Sequence, residues 1–462
     1  MSMKRLGFQP VICLIIMMMA GFSNVAHGQD FNGTWVGTLE AGVYSLQLVF
    51  HIEQTDQDVT VTWDSPDQGG FNLPATATIT GNELNVDIPN SHAKYKGTLK
   101  GDTLDGIFTQ GANMPLRLTR KAGEDDNNRR PQEAAIEADR NKPYHAEEVT
   151  FTNDGITFAG TLTLPNSGNN FPAVVLIAGS GPHDRNEEVF MHKPFLLLAD
   201  ALSRNGFAVL RYDERGVGAT VGGDPLAPTE PLATDAMAAL RYLKSRPEVD
   251  ASRAGLMGHS EGGMIAIMNA AQHPDEVPFI VSLAGTGVDG VELGMQQVKL
   301  LNKAMGTEPD SAELRFNEEL FRIIAAEKDS VTLRNKLKAF YQSHPEQLEK
   351  AGDKVTIDQI VDMTFITSCI FQYDPTQNLK RVKCPMLAIN GKLDAQVACE
   401  ENLEAIKRLV PHATVKAYEG LNHFFQTCSG WVGSTQYAVI RETMAPQVLD
   451  DIVKWLKDVT RQ

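Results

Sequence analysis

Apolar and polar residues alternate along much of the chain between about residues 30 and 120. Tyr44 to Ile52 and Leu84 to Ile88 place an apolar residue at every second position, and Gly, Asn and Asp residues separate such stretches. A period of two is typical of half-buried β-strands, and these small and polar residues favour the turns between them. The pattern therefore predicts a small all-β domain, a barrel or a sandwich, over residues 30–120.

The pattern changes twice after this domain. Residues 121–145 contain few apolar residues and predict a linker, with room for one short exposed helix. From residue 146 to residue 462, apolar runs alternate with helical segments, which predicts an α/β fold with a mainly parallel sheet covered on both faces. The expected elements are a hairpin from Val149 to Leu164 and buried strands Ala173 to Ala178, Ala208 to Tyr212, Ala254 to Gly258, Phe279 to Ala284, Pro385 to Asn390 and Ala413 to Tyr418.

The strand pattern is interrupted from about residue 290 to residue 378, where the sequence is helical. Asp310 and Glu313 have the spacing of a capping box ahead of the apolar residues Leu314 and Leu320. An insertion between two strands of a parallel sheet overhangs its carboxyl edge, where ligands bind. We therefore expect a helical cap over a binding site rather than a separate interaction domain.

Residues 1–28 have the pattern of a secretory signal peptide. Lys4 and Arg5 precede an apolar run, Val11 to Ala20, that is short for a bilayer span. Small residues at Ala26 and Gly28 predict cleavage near Gly28, and the mature protein is expected in the periplasm or outside the cell. The alternative is an uncleaved anchor helix. No later segment is predicted to cross a membrane.

The chain is acidic, with a formal charge of −16 that becomes −18 when Lys4 and Arg5 leave with the signal peptide. This charge excludes nucleic acid as an expected partner. The cysteines left after cleavage, Cys369, Cys384, Cys399 and Cys428, could pair in an oxidising compartment, and the sequence leaves their pairing open. They form no C-x-x-C pair and no Cys/His cluster, so we predict no metal site.

A candidate nucleophile lies where one predicted strand ends. Residues 258–262 read Gly-His-Ser-Glu-Gly, with Ser260 at the centre. A serine on a sharp strand-to-helix turn is held in a strained conformation, and glycines around it remove side chains that would collide there. A strand precedes this motif and the helical run Met264 to Gln272 follows it, so we interpret Ser260 as a nucleophile; His259 should point away from it.

The base and the acid are expected after later strands, in the chain order Ser, acid, His. His423 follows the last predicted strand and Asp394 follows the strand that ends at Asn390. A buried carboxylate at Asp394 would accept from the imidazole and fix its tautomer. Asp289 is the second candidate acid and Asp374 the third. His183 and His192 precede the serine and are interpreted as substrate-pocket or surface residues.

The oxyanion formed in acyl transfer needs two fixed N–H donors. One is expected from the backbone of Glu261, directly after the nucleophile, and the other from Ser180 in the loop after the first long buried strand. The following residues, 183–186, either line the pocket or tie this loop to the domain.

Residues from about 147 to 462 resemble the alpha/beta-hydrolase superfamily. The motifs Gly179 to Arg185, Tyr212 to Gly216, Gly258 to Gly263 and Gly391 to Asp394 are similar to the bacterial serine aminopeptidase and dienelactone-hydrolase-like esterase branches. The dienelactone enzymes proper have a cysteine where this chain has Ser260. The all-β domain resembles the lipocalin-like modules that precede some bacterial hydrolases.

The resemblance implies two-step acyl transfer through Ser260, Asp394 and His423 without a cofactor or metal. The expected substrate is a small carboxylic ester. Peptidase or amidase action on short peptides is the close alternative, because the same triad and oxyanion hole serve both. A non-catalytic binding protein on a hydrolase scaffold is the third possibility. The resemblance also assigns Asp213 and Arg215 a structural role at the sheet edge, and the oligomeric state is left open.

Overall fold

The structure is a computed structural model. It describes residues 31–41, 44–54, 59–65, 70–91, 93–120, 130–345 and 356–461. The predicted signal peptide and residues 121–129 of the predicted linker therefore lie outside the described residues. The described chain divides into two compact units, one holding the residues up to Pro131 with Ser434–Arg441, the other holding Gln132–Gly433 and Glu442 onwards. None of the helices in these ranges combines the length and apolarity that crossing a bilayer requires.

The first unit contains a closed antiparallel barrel, so the all-β domain is a barrel and not a sandwich. Its strands follow one another around the barrel in chain order: β1 (Gly33–Ala41), β2 (Tyr44–Gln54), β3 (Val59–Ser65), β4 (Gly70–Thr80), β5 (Glu83–Ile88), β6 (Ala93–Lys100), β7 (Thr103–Gln110) and β8 (Ala112–Arg120). The barrel closes where Trp35 and Val36 of β1 pair with Arg120 and Thr119 of β8.

Large side chains fill the interior of the barrel. Trp35, Phe50 and Tyr95 are at most 1% exposed, and the Tyr95 hydroxyl donates to the carbonyl of Leu104 at 3.0 Å. An eight-stranded barrel has an interior just wide enough for side chains or for one small ligand. Since aromatic rings occupy the interior here, a role for this domain in binding substrate would have to use its outer surface.

The second unit contains an eight-stranded sheet in the order β16-β15-β14-β13-β11-β12-β10-β9. Strands β11 to β16 pair in parallel, whereas β9 pairs with β10 and β10 with β12 in antiparallel fashion. The strands are β9 (Tyr144–Asn153), β10 (Ile156–Pro165), β11 (Phe171–Ile177), β12 (Ala208–Tyr212), β13 (Val249–His259), β14 (Ile280–Leu283), β15 (Met386–Gly391) and β16 (Thr414–Tyr418).

Helices cover both faces of this sheet and form the cap. They are α1 (Pro131–Ala138), α2 (Pro194–Arg204), α3 (Thr229–Ser245), α4 (Glu261–Gln272), α5 (Gly290–Ala304), α6 (Ser311–Ala326), α7 (Ser330–Ser343), α8 (Ile357–Ile366), α9 (Ser368–Gln372), α10 (Thr376–Leu379), α11 (Cys399–Leu409), α12 (Ser434–Tyr437) and α13 (Pro446–Val459). Of these, α5 to α10 lie between β14 and β15, where the cap was predicted.

Helix α1 differs from the exposed linker helix that the sequence predicts. Ile136 is 8% exposed and packs into the apolar core of the second unit, and Glu133 is 5% exposed. The low apolar content of this stretch does not reveal the packing of the helix, because a single isoleucine, Ile136, packs its two turns against the core. The chain from Gln132 onwards is therefore a packed part of the second unit.

Candidate active site

Ser260 lies at the junction of β13 and α4, in a backbone conformation that a residue with a side chain seldom adopts. Its φ is 52° and its ψ is −115°. Its N–H donates to the carbonyl of Leu283 at 2.8 Å, and its own carbonyl accepts from the N–H of Gly263 at 2.9 Å. A left-handed conformation of this kind costs of order 1–3 kcal/mol and persists where the surroundings impose it. The turn therefore holds the serine at the carboxyl edge of the sheet.

Two glycines permit this turn through close backbone approach. A Cβ at Gly258 would lie 1.9 Å from the carbonyl oxygen of Gly262, and a Cβ at Gly262 would lie 2.1 Å from that of Ile177. Neither contact can relax, because both partners are backbone atoms. The glycines on either side of Ser260 are thus required by packing.

His423 and Asp394 form a buried hydrogen-bonded pair. The imidazole donates from Nδ1 to Oδ2 of Asp394 at 2.7 Å, and the two residues are 2% and 0% exposed. The other carboxylate oxygen accepts from the backbone N–H groups of Gln396 at 2.7 Å and Val397 at 2.9 Å. Because an ionised carboxylate only accepts, the proton sits on Nδ1, and Nε2 is left as the acceptor.

The structure brings this pair to the edge that carries Ser260. Asp394 follows the end of β15 and His423 follows the end of β16, strands that run parallel to β13. The rings of His423 and His259 have centroids 4.7 Å apart, and Nε2 of His259 lies 3.1 Å from the carbonyl oxygen of His423. The imidazole therefore packs directly against the residue that precedes the serine.

The two other acid candidates accept hydrogen bonds from nearby backbone N–H groups. Asp289 is exposed, and its carboxylate accepts from the N–H groups of Val291 and Glu292 at the start of α5. Asp374 is also exposed and accepts from the N–H of Thr376 at 2.9 Å. Both carboxylates are used in local turns.

The predicted oxyanion donors belong to two segments that lie close to Ser260. The N–H of Glu261 is in the first turn of α4, where no carbonyl within the helix can accept from it. The loop with Ser180 is held close, since a Cβ at Gly179 would lie 3.3 Å from Cβ of Ser260. The Glu261 carboxyl accepts from the hydroxyls of Thr229, at 2.5 Å, and Ser180, and burial raises its pKa despite these hydrogen bonds.

Residues 183–186 tie this loop to the sheet. Arg185 donates to both carboxylate oxygens of Asp213, at 3.0 and 2.8 Å, and the backbone N–H of His183 donates to Glu214 at 2.9 Å. Glu214 is buried, and burial raises its pKa well above the usual value. Of the two interpretations that the sequence leaves open, these contacts favour a structural one.

A chain of buried hydrogen bonds supports the loop that carries His423. The Asn422 amide donates to Gln426 at 2.9 Å, Gln426 donates to Nε2 of His192 at 2.9 Å, and Nδ1 of His192 donates to Thr443 at 2.6 Å. The Thr443 hydroxyl donates in turn to Glu133 at 2.5 Å. All donors point the same way, toward a carboxylate, an arrangement in which hydrogen bonds reinforce one another.

His192 is therefore neither a surface residue nor a pocket residue, as the sequence suggested. It is 2% exposed and forms an interior link of this chain. Its partners lie more than 230 positions away along the sequence, so no local pattern identifies it. A histidine followed closely by a buried helix was the only available signal.

The described residues contain no group of three His, Cys, Asp or Glu side chains arranged to hold a metal ion. Cys369, Cys384, Cys399 and Cys428 are free thiols, whereas Cys13 lies outside the described residues.

In a comparison with known protein families, residues 192–426 match the family described as serine aminopeptidase, S33. Esterase EstD of Thermotoga maritima is 28% identical over 316 residues, which cover 68% of each chain. An uncharacterized protein of Mycobacterium tuberculosis is 34% identical over 134 residues, 29% of this chain and 43% of that protein. Among solved structures, Est1E from Butyrivibrio proteoclasticus superposes with a TM-score of 0.41 at 15% identity, over 68% of this chain and 98% of that one.

Proposed function

The chain belongs to the serine aminopeptidase S33 family of α/β-hydrolases, and from this premise we propose that it cleaves small carboxylic esters through an acyl-enzyme on Ser260. The observation that carries the proposal is the strained turn at Ser260, at the same sheet edge as the Asp394–His423 pair. A nucleophile, a base and a group that orients the base are the parts that acyl transfer requires.

In the proposed reaction, Nε2 of His423 takes the proton of the Ser260 hydroxyl as Oγ bonds to the carbonyl carbon of the ester. The carbonyl oxygen becomes an oxyanion, which accepts from the N–H groups of Glu261 and Ser180. The tetrahedral intermediate collapses, the ester C–O bond breaks, and the imidazolium gives its proton to the leaving alcohol. Water then repeats these steps on the acyl-enzyme and releases the acid.

The Asp394 carboxylate keeps the proton of His423 on Nδ1 and stabilises the imidazolium that forms in each step. Its burial and its two backbone hydrogen bonds hold it in one orientation. Such a buried anion, fixed before the reaction begins, stabilises developing positive charge without reorganising.

Aminopeptidase action is the second candidate, favoured by the description of the matching family. An aminopeptidase would bind the substrate ammonium with an ionised carboxylate. Glu261 is next to the nucleophile, but burial raises its pKa and its carboxyl already accepts from Thr229 and Ser180. That carboxyl is poorly suited to an ammonium group, and the name of the relative EstD also favours esters.

The test is hydrolysis of p-nitrophenyl esters of increasing chain length beside aminoacyl and prolyl anilides. We expect turnover of short esters, little turnover of anilides, and loss of activity in Ser260→Ala. Anilides cleaved faster than esters would replace the ester proposal with the aminopeptidase. Ester turnover that persists in purified Ser260→Ala would contradict the assignment of the nucleophile.

We also propose that the protein is exported. The support is in the sequence, where two cations precede a short apolar run and small residues precede Gln29. Mass spectrometry of the protein from a periplasmic fraction should give an amino terminus within a few residues of Gln29. A cytoplasmic protein that retains residues 1–28 would contradict export.

A further inference from the structure

A buried ion pair lies beside the candidate triad, and the reaction steps above do not use it. Nδ1 of His259 is 2.9 Å from Oε1 of Glu187. Glu187 is 1% exposed and His259 is 5% exposed. Both residues belong to the unit that contains the sheet, Glu187 in the loop before α2 and His259 at the end of β13.

Both nitrogens of the His259 ring face hydrogen-bond acceptors. Nδ1 faces the Glu187 carboxylate, and Nε2 lies 3.1 Å from the carbonyl oxygen of His423. A neutral imidazole donates from one nitrogen only, whereas an imidazolium donates from both. With Glu187 ionised, as its lowered pKa indicates, the two contacts are satisfied together only when His259 carries a positive charge.

The electrostatics agree with this protonation state. Burial raises the pKa of Glu187, but the charge and the hydrogen bond of His259 outweigh it and hold the pKa below its usual value. Burial lowers the pKa of His259, and Glu187 more than reverses that shift. The other titratable groups around the pair are Asp394 and His423 near the imidazole and His183 and Glu214 near the carboxylate.

The pair joins the segments that must come together for acyl transfer. Oε1 of Glu187 also accepts from the N–H of Gly179 at 2.7 Å, which holds the loop that carries Ser180. His259 donates to the backbone of His423 and is adjacent to Ser260 in the chain. One carboxylate and one imidazolium thus link the oxyanion loop, the nucleophile turn and the loop of the base.

Stability alone does not account for this pair. Oε2 of Glu187 is buried and has no hydrogen-bond partner among the described residues. Glu187 also has a left-handed backbone, with φ of 50°. Burying two charges costs more than their attraction returns unless every polar atom is satisfied, and well-packed apolar residues are often as stable. Backbone strain and imperfect pairing of this kind are typical of functional sites.

We propose that Glu187 and His259, as a buried ion pair, position the groups of the hydrolase reaction: they hold the oxyanion loop and the His423 loop against Ser260. The rings of His259 and His423, with centroids 4.7 Å apart, are part of this contact between the loops. The inference rests on the proposed function, and it adds two positioning residues to the candidate triad and the oxyanion donors.

The first test reads the charge of His259 directly in the full mature protein. Ring-15N-labelled histidine NMR, with His259→Gln for assignment, should show both nitrogens of His259 protonated at pH 7.5. The same signal should become that of a neutral ring in Glu187→Gln. A neutral His259 in the wild-type protein would overturn the proposal, and this result does not depend on any enzyme activity.

The second test measures kinetics of Glu187→Gln with a short ester. We expect kcat to fall about 10- to 100-fold with KM nearly unchanged, because the reacting groups are displaced while the pocket remains. A merely structural role would lower the unfolding temperature without this selective loss of kcat at unchanged KM. A folded Glu187→Gln with normal kcat would overturn the proposal.

Asp235→Asn is the matched control. Asp235 is 1% exposed and forms a buried ion pair with Arg215, with Nε and Oδ2 2.5 Å apart. Breaking this pair should lower the unfolding temperature and leave kcat nearly unchanged. An equal loss of kcat in both variants would attribute the loss to general destabilisation and contradict the positioning role. A wild-type protein without hydrolase activity would refute the proposed function, whereas the NMR result would still decide the charge of His259.

Discussion

Replacing Asp394 by Asn changes one atom of the candidate triad and should abolish most of the activity. In the native protein Oδ1 accepts from the N–H groups of Gln396 and Val397, and Oδ2 accepts from Nδ1 of His423 at 2.7 Å. The asparagine oxygen can keep both backbone hydrogen bonds. Its NH₂ group then faces Nδ1, and because it can only donate, the imidazole proton must move to Nε2, where it blocks the base.

The size of the effect follows from that exchange. The wrong tautomer at this position typically costs about 10⁴-fold in kcat, which is about 5.4 kcal/mol of barrier at 1.36 kcal/mol per tenfold. The fold should survive, because one charge-assisted hydrogen bond is weakened and the free energy of unfolding falls by about 2 kcal/mol. The variant should therefore lose nearly all of its activity while it stays folded.

The assay is kcat for a short p-nitrophenyl ester beside urea unfolding of the same preparation. Asp289→Asn is the control, because asparagine caps a helix as well as aspartate does and Asp289 is an exposed cap. It should retain full activity. A folded Asp394→Asn that keeps more than about a tenth of the activity would refute the assignment of Asp394 as the acid. If Asp289→Asn loses activity instead, Asp289 is the acid.

Further predictions follow from other contacts. Gly262→Ala should destabilise the fold by about 3 kcal/mol or prevent folding, since its Cβ would lie 2.1 Å from a backbone oxygen; urea unfolding checks this, and native stability would contradict it. His192→Phe should lower the free energy of unfolding by about 2 kcal/mol in the same assay, because it leaves the buried side chains of Gln426 and Thr443 without their partner. An unchanged free energy of unfolding would mean that these hydrogen bonds do not stabilise the fold. Deleting residues 29–120 should leave short-ester hydrolysis intact in a folded product, because the barrel interior is filled; loss of that activity would assign the barrel a role in catalysis. The stabilisation lost in Glu187→Gln should be largest between pH 4.5 and 6.5, the unperturbed pKa values of Glu187 and His259. It should shrink below that window as pH falls through the lowered pKa of Glu187, and above it as pH rises through the raised pKa of His259. Unfolding at a series of pH values measures it, and a pH-independent difference would contradict the pairing.

The fold and the motifs of the site could be predicted from the sequence because they depend on local order. Alternating apolar positions in Tyr44 to Ile52 specify a strand, and short buried runs such as Ala208 to Tyr212 specify the parallel sheet. The strand-turn-helix context marks Ser260. Asp394 and His423 follow strands whose carboxyl ends lie at one edge of the sheet, so the order of the strands predicts that these two residues lie close together. Their roles stay predictions until tested.

The supporting polar contacts could not be predicted in this way. Glu187 is in an irregular loop, and its partner His259 is 72 positions away. His192 bonds Thr443 across 251 positions. A buried charge looks like a surface charge in a sequence, because what distinguishes them is the tertiary packing that removes water from around them. The same reason explains why the sequence of α1, with little apolar content, predicts an exposed helix.

Covalent labelling locates the nucleophile most directly. The mature protein is incubated with a fluorophosphonate, digested, and analysed by tandem mass spectrometry. We expect one adduct, on the Ser260 hydroxyl, that is absent in Ser260→Ala and strongly reduced in His423→Ala. A folded wild-type protein that hydrolyses esters while its Ser260 stays unlabelled, or that carries the adduct on another residue, would contradict the assignment of Ser260 as the nucleophile.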